Sequence, residues 1–239
     1  MAESRTVHKG LGERFANIKM RINQALHRCN RPANDVTLIA ITKTHPASII
    51  NDVVQLGATD LGENRIQEAE AKIPEVGRHS ARWHLVGHLQ TNKARRAVKL
   101  FDVIHSVDSL ELARRLDRLC IEEAIPSLSV LFQVDLGLEE TKSGVAEADL
   151  RDLASEVNGC ERLSLTGVMT LPPFFDDPEN ARPYFRKLAE LRDQLAHSGS
   201  FGDHRGDLSM GMTNDFEVAI EEGATMVRIG TAIFGERVR

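Results

Sequence analysis

At 239 residues, with 41% of them apolar, 27% charged in both signs and a formal net charge of -5, the chain has the make-up of a folded protein with a sizeable core. That composition excludes a disordered or fibrous protein, and the acidic balance argues against a nucleic-acid binder, which favours a basic face. No stretch approaches a transmembrane span, and the charged first ten residues lack the apolar centre of a secretory signal, so a cytoplasmic location is expected.

A helix-period segment over 7–29 opens the chain. The first β-branched run follows at 37–42, then a helical stretch at 46–56, a strand at 60–62 and a helix at 66–73. The alternation continues with strands at 83–87, 103–107, 128–134 and 165–170, separated by helical stretches at 92–100, 109–124 and 146–157. It closes with a helix at 181–196, a strand at 207–210, a helix at 215–222 and a strand at 226–229. Start signals mark several helices: Thr44-His-Pro46 offers a cap and then a proline, while Ser109-Leu-Glu111 and Thr213-Asn-Asp215 each pair a cap with an acid. Strands alternating with helices mean βαβ units and a parallel sheet. Eight strands in this length predict a single-domain (β/α)₈ TIM barrel over 1–239 with an extra N-terminal helix. An open doubly wound sheet is the alternative, but it calls for a glycine fingerprint after the first strand, and Ile41-Thr-Lys-Thr-His45 has none. Cys29, Cys120 and Cys160 are far apart and form no CxxC pair, so they read as free thiols.

In such a barrel the working residues lie at the C-terminal ends of the strands, and the loops after strands seven and eight commonly hold phosphate. Lys43 ends the apolar run Leu38-Ile-Ala-Ile-Thr42, and an amine aimed into the barrel mouth suits imine formation with an aldehyde. On residue type alone a lysine snorkelling to solvent is the more ordinary explanation. Ser209 and Gly211 in Leu208-Ser-Met-Gly-Met212, with Gly230 and Thr231 in Val227-Arg-Ile-Gly-Thr231, offer hydroxyls and approachable N–H groups that suit a phosphate cup. Any βα turn uses the same residue types. Arg228 alternates with Val227 and Ile229, so its guanidinium faces either the barrel interior or an outer helix. His84 and His88 flank a glycine turn rather than sharing a helix face, a spacing that does not suggest a metal site. Lys93, Arg95, Arg96 and Lys99 read as a solvated basic face.

With the segments Ala40-Ile-Thr-Lys-Thr44, Leu61-Gly-Glu-Asn64, Trp83-His-Leu-Val-Gly-His-Leu-Gln-Thr-Asn-Lys93, Glu140-Thr-Lys-Ser-Gly144, Gly167-Val-Met-Thr170, Leu208-Ser-Met-Gly-Met-Thr-Asn-Asp215 and Val227-Arg-Ile-Gly-Thr-Ala-Ile-Phe-Gly235, the sequence resembles the pyridoxal 5'-phosphate (PLP) homeostasis family. This family, YggS-like in bacteria and PROSC-like in animals, has the alanine racemase barrel without its second domain. The resemblance implies that Lys43 carries PLP as a Schiff base and that Ser209, Gly211, Gly230 and Thr231 surround its phosphate. It also implies that Arg228 faces the pyridine nitrogen, with Asn64 and Met210 near the cofactor. Three positions depart from the family pattern: Arg65 in place of an aromatic, His88 in place of proline and Asp135 in place of asparagine.

Two chemical arguments favour a carrier over an enzyme. An arginine beside the ring nitrogen disfavours the protonation that makes PLP a strong electron sink. Racemisation also needs acid/base groups on both faces of the ring, and in the racemase relatives one of these is a tyrosine from the second domain. This chain has one tyrosine, Tyr184, at the start of a helical stretch. A racemase-like enzyme and a PLP-independent Schiff-base aldolase are the alternatives. The carrier reading expects a monomer with PLP as its ligand, PLP-requiring apo-enzymes as recipients, and no nucleic-acid or membrane partner.

Overall fold

The computed structural model describes residues 2–137 and 144–235, with side chains from residue 10 onward; most of Glu140-Thr-Lys-Ser-Gly144 lies outside the described residues. The opening helix α1 (Ala2–Arg28) starts earlier than its expected bounds. The barrel units then follow as β1 (Thr37–Ile41), α2 (Ala47–Gln55), β2 (Asp60–Glu63), α3 (Ile66–Val76), β3 (Arg82–Leu85), α4 (Ala94–Leu100), β4 (Val103–Val107) and α5 (Leu110–Glu122). The second half adds β5 (Leu128–Gln133), α6 (Leu150–Asn158), β6 (Leu163–Met169), α7 (Arg182–His197), β7 (Asp207–Ser209), α8 (Phe216–Glu221), β8 (Met226–Ile229) and a single turn α9 (Thr231–Phe234). Every neighbouring pair is parallel, and β8 returns to β1, so the sheet closes into an eight-stranded barrel. The open-sheet alternative is thereby excluded.

Strand alternation sends one set of side chains out to the helices and the other into the barrel. Outward residues such as Ala40, Leu61, Trp83, Ile104, Phe132, Val227 and Ile229 join the helices in one large apolar shell. Inward residues Ile39, Ile41, Val103, Leu131 and Met226, with Val86 just beyond β3, form a separate apolar cluster inside the barrel. On α1, Leu11, Phe15, Ile18, Ile22, Ala25 and Leu26 recur at helical spacing and are buried, the stripe expected of a helix packed along one face. That stripe meets α2, α8 and α9, and Arg21 adds a bidentate bond to Glu217 of α8 at 3.1 and 2.8 Å. Cys29, Cys120 and Cys160 are free thiols, and among the described residues no helix is long and apolar enough to cross a membrane.

Candidate functional site

A cavity of about 900 Å³ opens at the C-terminal mouth of the barrel, within the size range of small-molecule sites. Its wall includes Lys43, Asn64, Gly87, His88, the segments 171–175 and 212–215, Arg228, Gly230 and Thr231. Lys43 is the second residue after β1 and is half-buried; among the described residues no hydrogen bond or ion pair engages its amine. Asn64 follows β2, and Gly87 lies against it so closely that a Cβ at position 87 would stand 2.2 Å from the Asn64 carbonyl oxygen. A glycine is therefore required there, and it seats Asn64 on the wall.

The backbone on both sides of Lys43 is clamped by a charge cluster that runs from the buried Glu63 to the part-exposed Lys72 and Glu68. Lys72 of α3 donates to the Thr42 carbonyl at 2.8 Å, to Glu63 Oε1 at 2.8 Å and to Glu68 Oε2 at 2.9 Å. Thr42 Oγ1 donates to Glu63 Oε1 at 2.6 Å, and the Thr44 amide donates to Glu68 Oε2 at 2.7 Å. Thr44 holds φ at +67°, a costly region for a β-branched residue, so the cluster imposes a turn that the chain would not adopt unaided. Glu63 is fully buried, and desolvation raises its carboxyl above the usual range against the opposing bonds from Lys72 and Thr42.

Arg228 faces inward on β8, which decides between its two alternatives: Met226, two residues back, sits in the inner cluster, whereas Val227 and Ile229 sit in the outer shell. Its Nη1 donates to Ser209 Oγ at 2.6 Å, its Nη2 to the Thr170 carbonyl at 2.9 Å, and its backbone amide to the Gly211 carbonyl at 3.0 Å. Burial lowers its pKa to about 10, countered by the Asp215 carboxylate. Burial also raises Asp215, which accepts from the Met212 amide at 2.6 Å and so braces the loop after β7.

Five of the eight expected binding residues, Lys43, Asn64, Arg228, Gly230 and Thr231, come together on the cavity wall. Ser209, Met210 and Gly211 are not among the residues that line it. Ser209 ends β7 with its hydroxyl turned inward to Arg228 and His105, and Met210 is fully buried in the outer shell. Gly211 has φ +91°, and a Cβ there would come within 2.6 Å of Ala219 Cβ, so it lets the loop press onto α8. Met212 and Thr213, one step further along, take the place on the wall. Of the departures from the family pattern, His88 is on the rim and reaches Asp108 at 3.3 Å, Arg65 precedes α3, and Asp135 accepts from the Gly137 amide at 3.2 Å. The ring of Tyr184 lies tilted against Phe175, centroids 5.9 Å apart, and Phe175 lines the cavity. Among the described residues no group of three His, Cys, Asp or Glu side chains could hold a metal. Sequence reasoning did not single out His105, Glu68 or Lys72; Glu68 and Lys72 pair at i,i+4 on α3, a spacing the sequence does show, but their other partners, like those of His105, stand on other elements.

An unengaged amine, a guanidinium on the floor and two turns of hydroxyls and N–H groups on one wall fit an aromatic aldehyde that carries a phosphate. Comparison with known proteins points the same way. The model of the alanine racemase N-terminal domain matches residues 15–238. Two relatives named pyridoxal phosphate homeostasis protein are 41% identical in Aquifex aeolicus, covering 94% of this chain and 97% of the relative, and 39% identical in Escherichia coli K12, covering 95% and 97%. PipY of Synechococcus elongatus, solved with PLP bound, is 36% identical with a TM-score of 0.79, covering 94% of this chain and all of that one. The chain belongs to the alanine racemase N-terminal domain family and, within it, to the family of the pyridoxal phosphate homeostasis proteins.

Proposed function

We propose that this chain binds PLP at the mouth of its barrel and serves in intracellular PLP homeostasis, holding the cofactor as a Schiff base on Lys43 without appreciable turnover. The observation that carries this reading is the convergence of Lys43, Arg228 and the Gly230-Thr231 turn on one cavity, with the lysine amine engaged by no described group. The PLP-bound form of PipY supports the choice of ligand. PLP supplies an aldehyde that condenses with an amine and a ring that withdraws electrons. The chain's own residues do the rest. Gly230 and Thr231, with Met212 and Thr213 on the neighbouring turn, would offer hydroxyls and N–H groups to the phosphate, and Asn64 would contact the ring. Arg228 has no acceptor atom, so it can only donate toward the pyridine nitrogen and leaves that nitrogen unprotonated. Ser209 and Gly211 act through their bonds to Arg228, and Met210, buried in the outer shell, supports the loop between them.

A donor-only arginine at the nitrogen weakens the electron sink, and Tyr184 stands behind Phe175 instead of on the cavity wall. Both features support a carrier over an enzyme, and the reading extends to delivery of PLP to apo-enzymes in the cytoplasm. Equilibrium binding tests the site: several charge-assisted bonds at about 1.5–3 kcal/mol each converge on the phosphate, so pyridoxal should bind at least about a hundredfold more weakly than PLP. Equal affinities contradict the cup. A chiral assay on alanine and serine tests the carrier role; a rate of about one per second that Lys43→Ala abolishes would overturn it.

A further inference from the structure

Beneath Arg228 a chain of hydrogen bonds crosses the inside of the barrel. Arg228 Nη1 meets Ser209 Oγ at 2.6 Å, Ser209 Oγ meets His105 Nδ1 at 2.9 Å, His105 Nε2 meets His84 Nδ1 at 2.8 Å, and His84 Nε2 meets Asp60 Oδ1 at 2.9 Å. Five strands contribute one residue each, and the chain runs from the first residue of β2, at the base of the barrel, to the cavity floor. Ser209, His105 and His84 are fully buried. We propose that Asp60, His84, His105 and Ser209 form a relay of one fixed proton direction, and that His84 and His105 are positioning residues for Arg228.

The direction follows from the two ends. Arginine can only donate, so Ser209 Oγ accepts from it, and the single hydroxyl proton is then free to go to His105 Nδ1. Burial holds His105 well below its ordinary pKa, reinforced by His84 and Arg228, so the ring is neutral and carries its proton on Nε2. That proton goes to His84 Nδ1. Burial also lowers His84, against the pull of Asp60; neutral as well, it carries its proton on Nε2 and donates to the carboxylate. Asp60 can only accept; its other oxygen takes the Thr59 hydroxyl at 2.7 Å. Burial pushes Asp60 up, but the bonds from His84 and Thr59 win and keep it below its ordinary value. Reversed, the chain would aim a bare His84 nitrogen lone pair at the Asp60 carboxylate. It would also put two donors on Ser209 and leave its own proton with no acceptor among the described residues. Arg82 and Asp102 are the remaining charges that act on the histidines. The relay keeps a lone pair of Ser209 facing Arg228, which fixes one edge of the guanidinium while the Thr170 carbonyl fixes the other.

The link from relay to cofactor rests on the proposed PLP site, whereas the direction of the relay does not, and the experiment separates them. Nitrogen-15 NMR of the histidines in the ligand-free protein should show Nδ1 bare and Nε2 protonated in both His84 and His105. An Nδ1–H form at either ring overturns the relay whatever the protein binds. The second arm compares His105→Asn, whose side-chain carbonyl can still accept from Ser209, with His105→Leu, which has similar bulk and no acceptor. With PLP added, the leucine variant should bind roughly tenfold more weakly and shift the pH profile of the bound cofactor's absorption, and the asparagine variant should stay near wild type. A folded leucine variant that matches wild type in both overturns the positioning role. If the wild-type protein takes up no PLP, the PLP reading fails instead, while the NMR result still decides the relay.

Discussion

The shell between barrel and helices and the inside of the barrel are built on opposite rules. In the shell, Trp83, Phe101, Phe132, Phe185 and Phe216 are fully buried among aliphatic neighbours, and packing does the stabilising work. Inside, an apolar cluster of Ile39, Ile41, Val86, Val103, Leu131 and Met226 shares the space with the chain from Asp60 to Arg228. Burying polar groups costs stability unless each is bonded, and here each link is. The contrast teaches that stability is concentrated in the shell, and that the interior gives up apolar packing in order to hold polar groups under the cavity.

The largest expected effect sharpens the shell side. Phe185→Ala should cost about 3–5 kcal/mol in denaturant unfolding, the penalty of a large cavity in a tight core. A loss below about 1 kcal/mol would mean that stability is not concentrated there. The clamp under Lys43 comes next. Lys72→Ala strips the ammonium from the fully buried Glu63 and should cost about 3 kcal/mol or more, whereas adding Glu63→Gln to it should recover much of the loss. Additive losses in the double variant would show that the two side chains are not coupled.

The relay gives a smaller, pH-dependent effect. His84 and His105 are both held below their ordinary 6.5, so below about pH 6.5 the unfolded chain binds protons that the folded chain refuses. The contribution of the two histidines is therefore without penalty above about pH 6.5 and turns unfavourable as pH drops through that value, by up to about 1.4 kcal/mol per unit for each histidine. Glu63, raised by burial, works in the opposite sense above its ordinary 4.5, so the informative quantity is the difference from His105→Leu, whose stability should fall less steeply with acid. Parallel slopes would contradict the neutral pair. Smallest of all, Phe174 on the cavity wall is 78% exposed, and Phe174→Ser should change stability by no more than about 0.5 kcal/mol.

How much of this was legible in the sequence follows the same division. The eight strands could be read because each is a short β-branched or apolar run between helical stretches, and the shell residues obey simple alternation. Alternation alone left Arg228 undecided, since it states that neighbours face opposite ways and not which way is in; Met226 in the inner cluster and the pairing of Arg228 with the inward Ile39 settle it. Ser209 is expected at the end of the seventh strand with a hydroxyl to offer to a ligand, and it does end β7, but its hydroxyl points inward to Arg228 and His105. The histidine pair was hidden for a related reason. His84 and His105 lie 21 positions apart, and only the register of β3 on β4, with His84 opposite Val103, brings their rings together. The Lys72 cluster likewise joins α3 to the ends of β1 and β2, a meeting that no local pattern encodes.

The central claim is that the barrel mouth holds PLP on Lys43 above a polar interior. It is tested most directly by adding PLP to the purified protein, reducing with borohydride and mapping the labelled peptide by mass spectrometry. The account predicts one equivalent of label on the peptide containing Lys43, with none in Lys43→Ala. Label carried wholly by another lysine, or undiminished in Lys43→Ala, would contradict it.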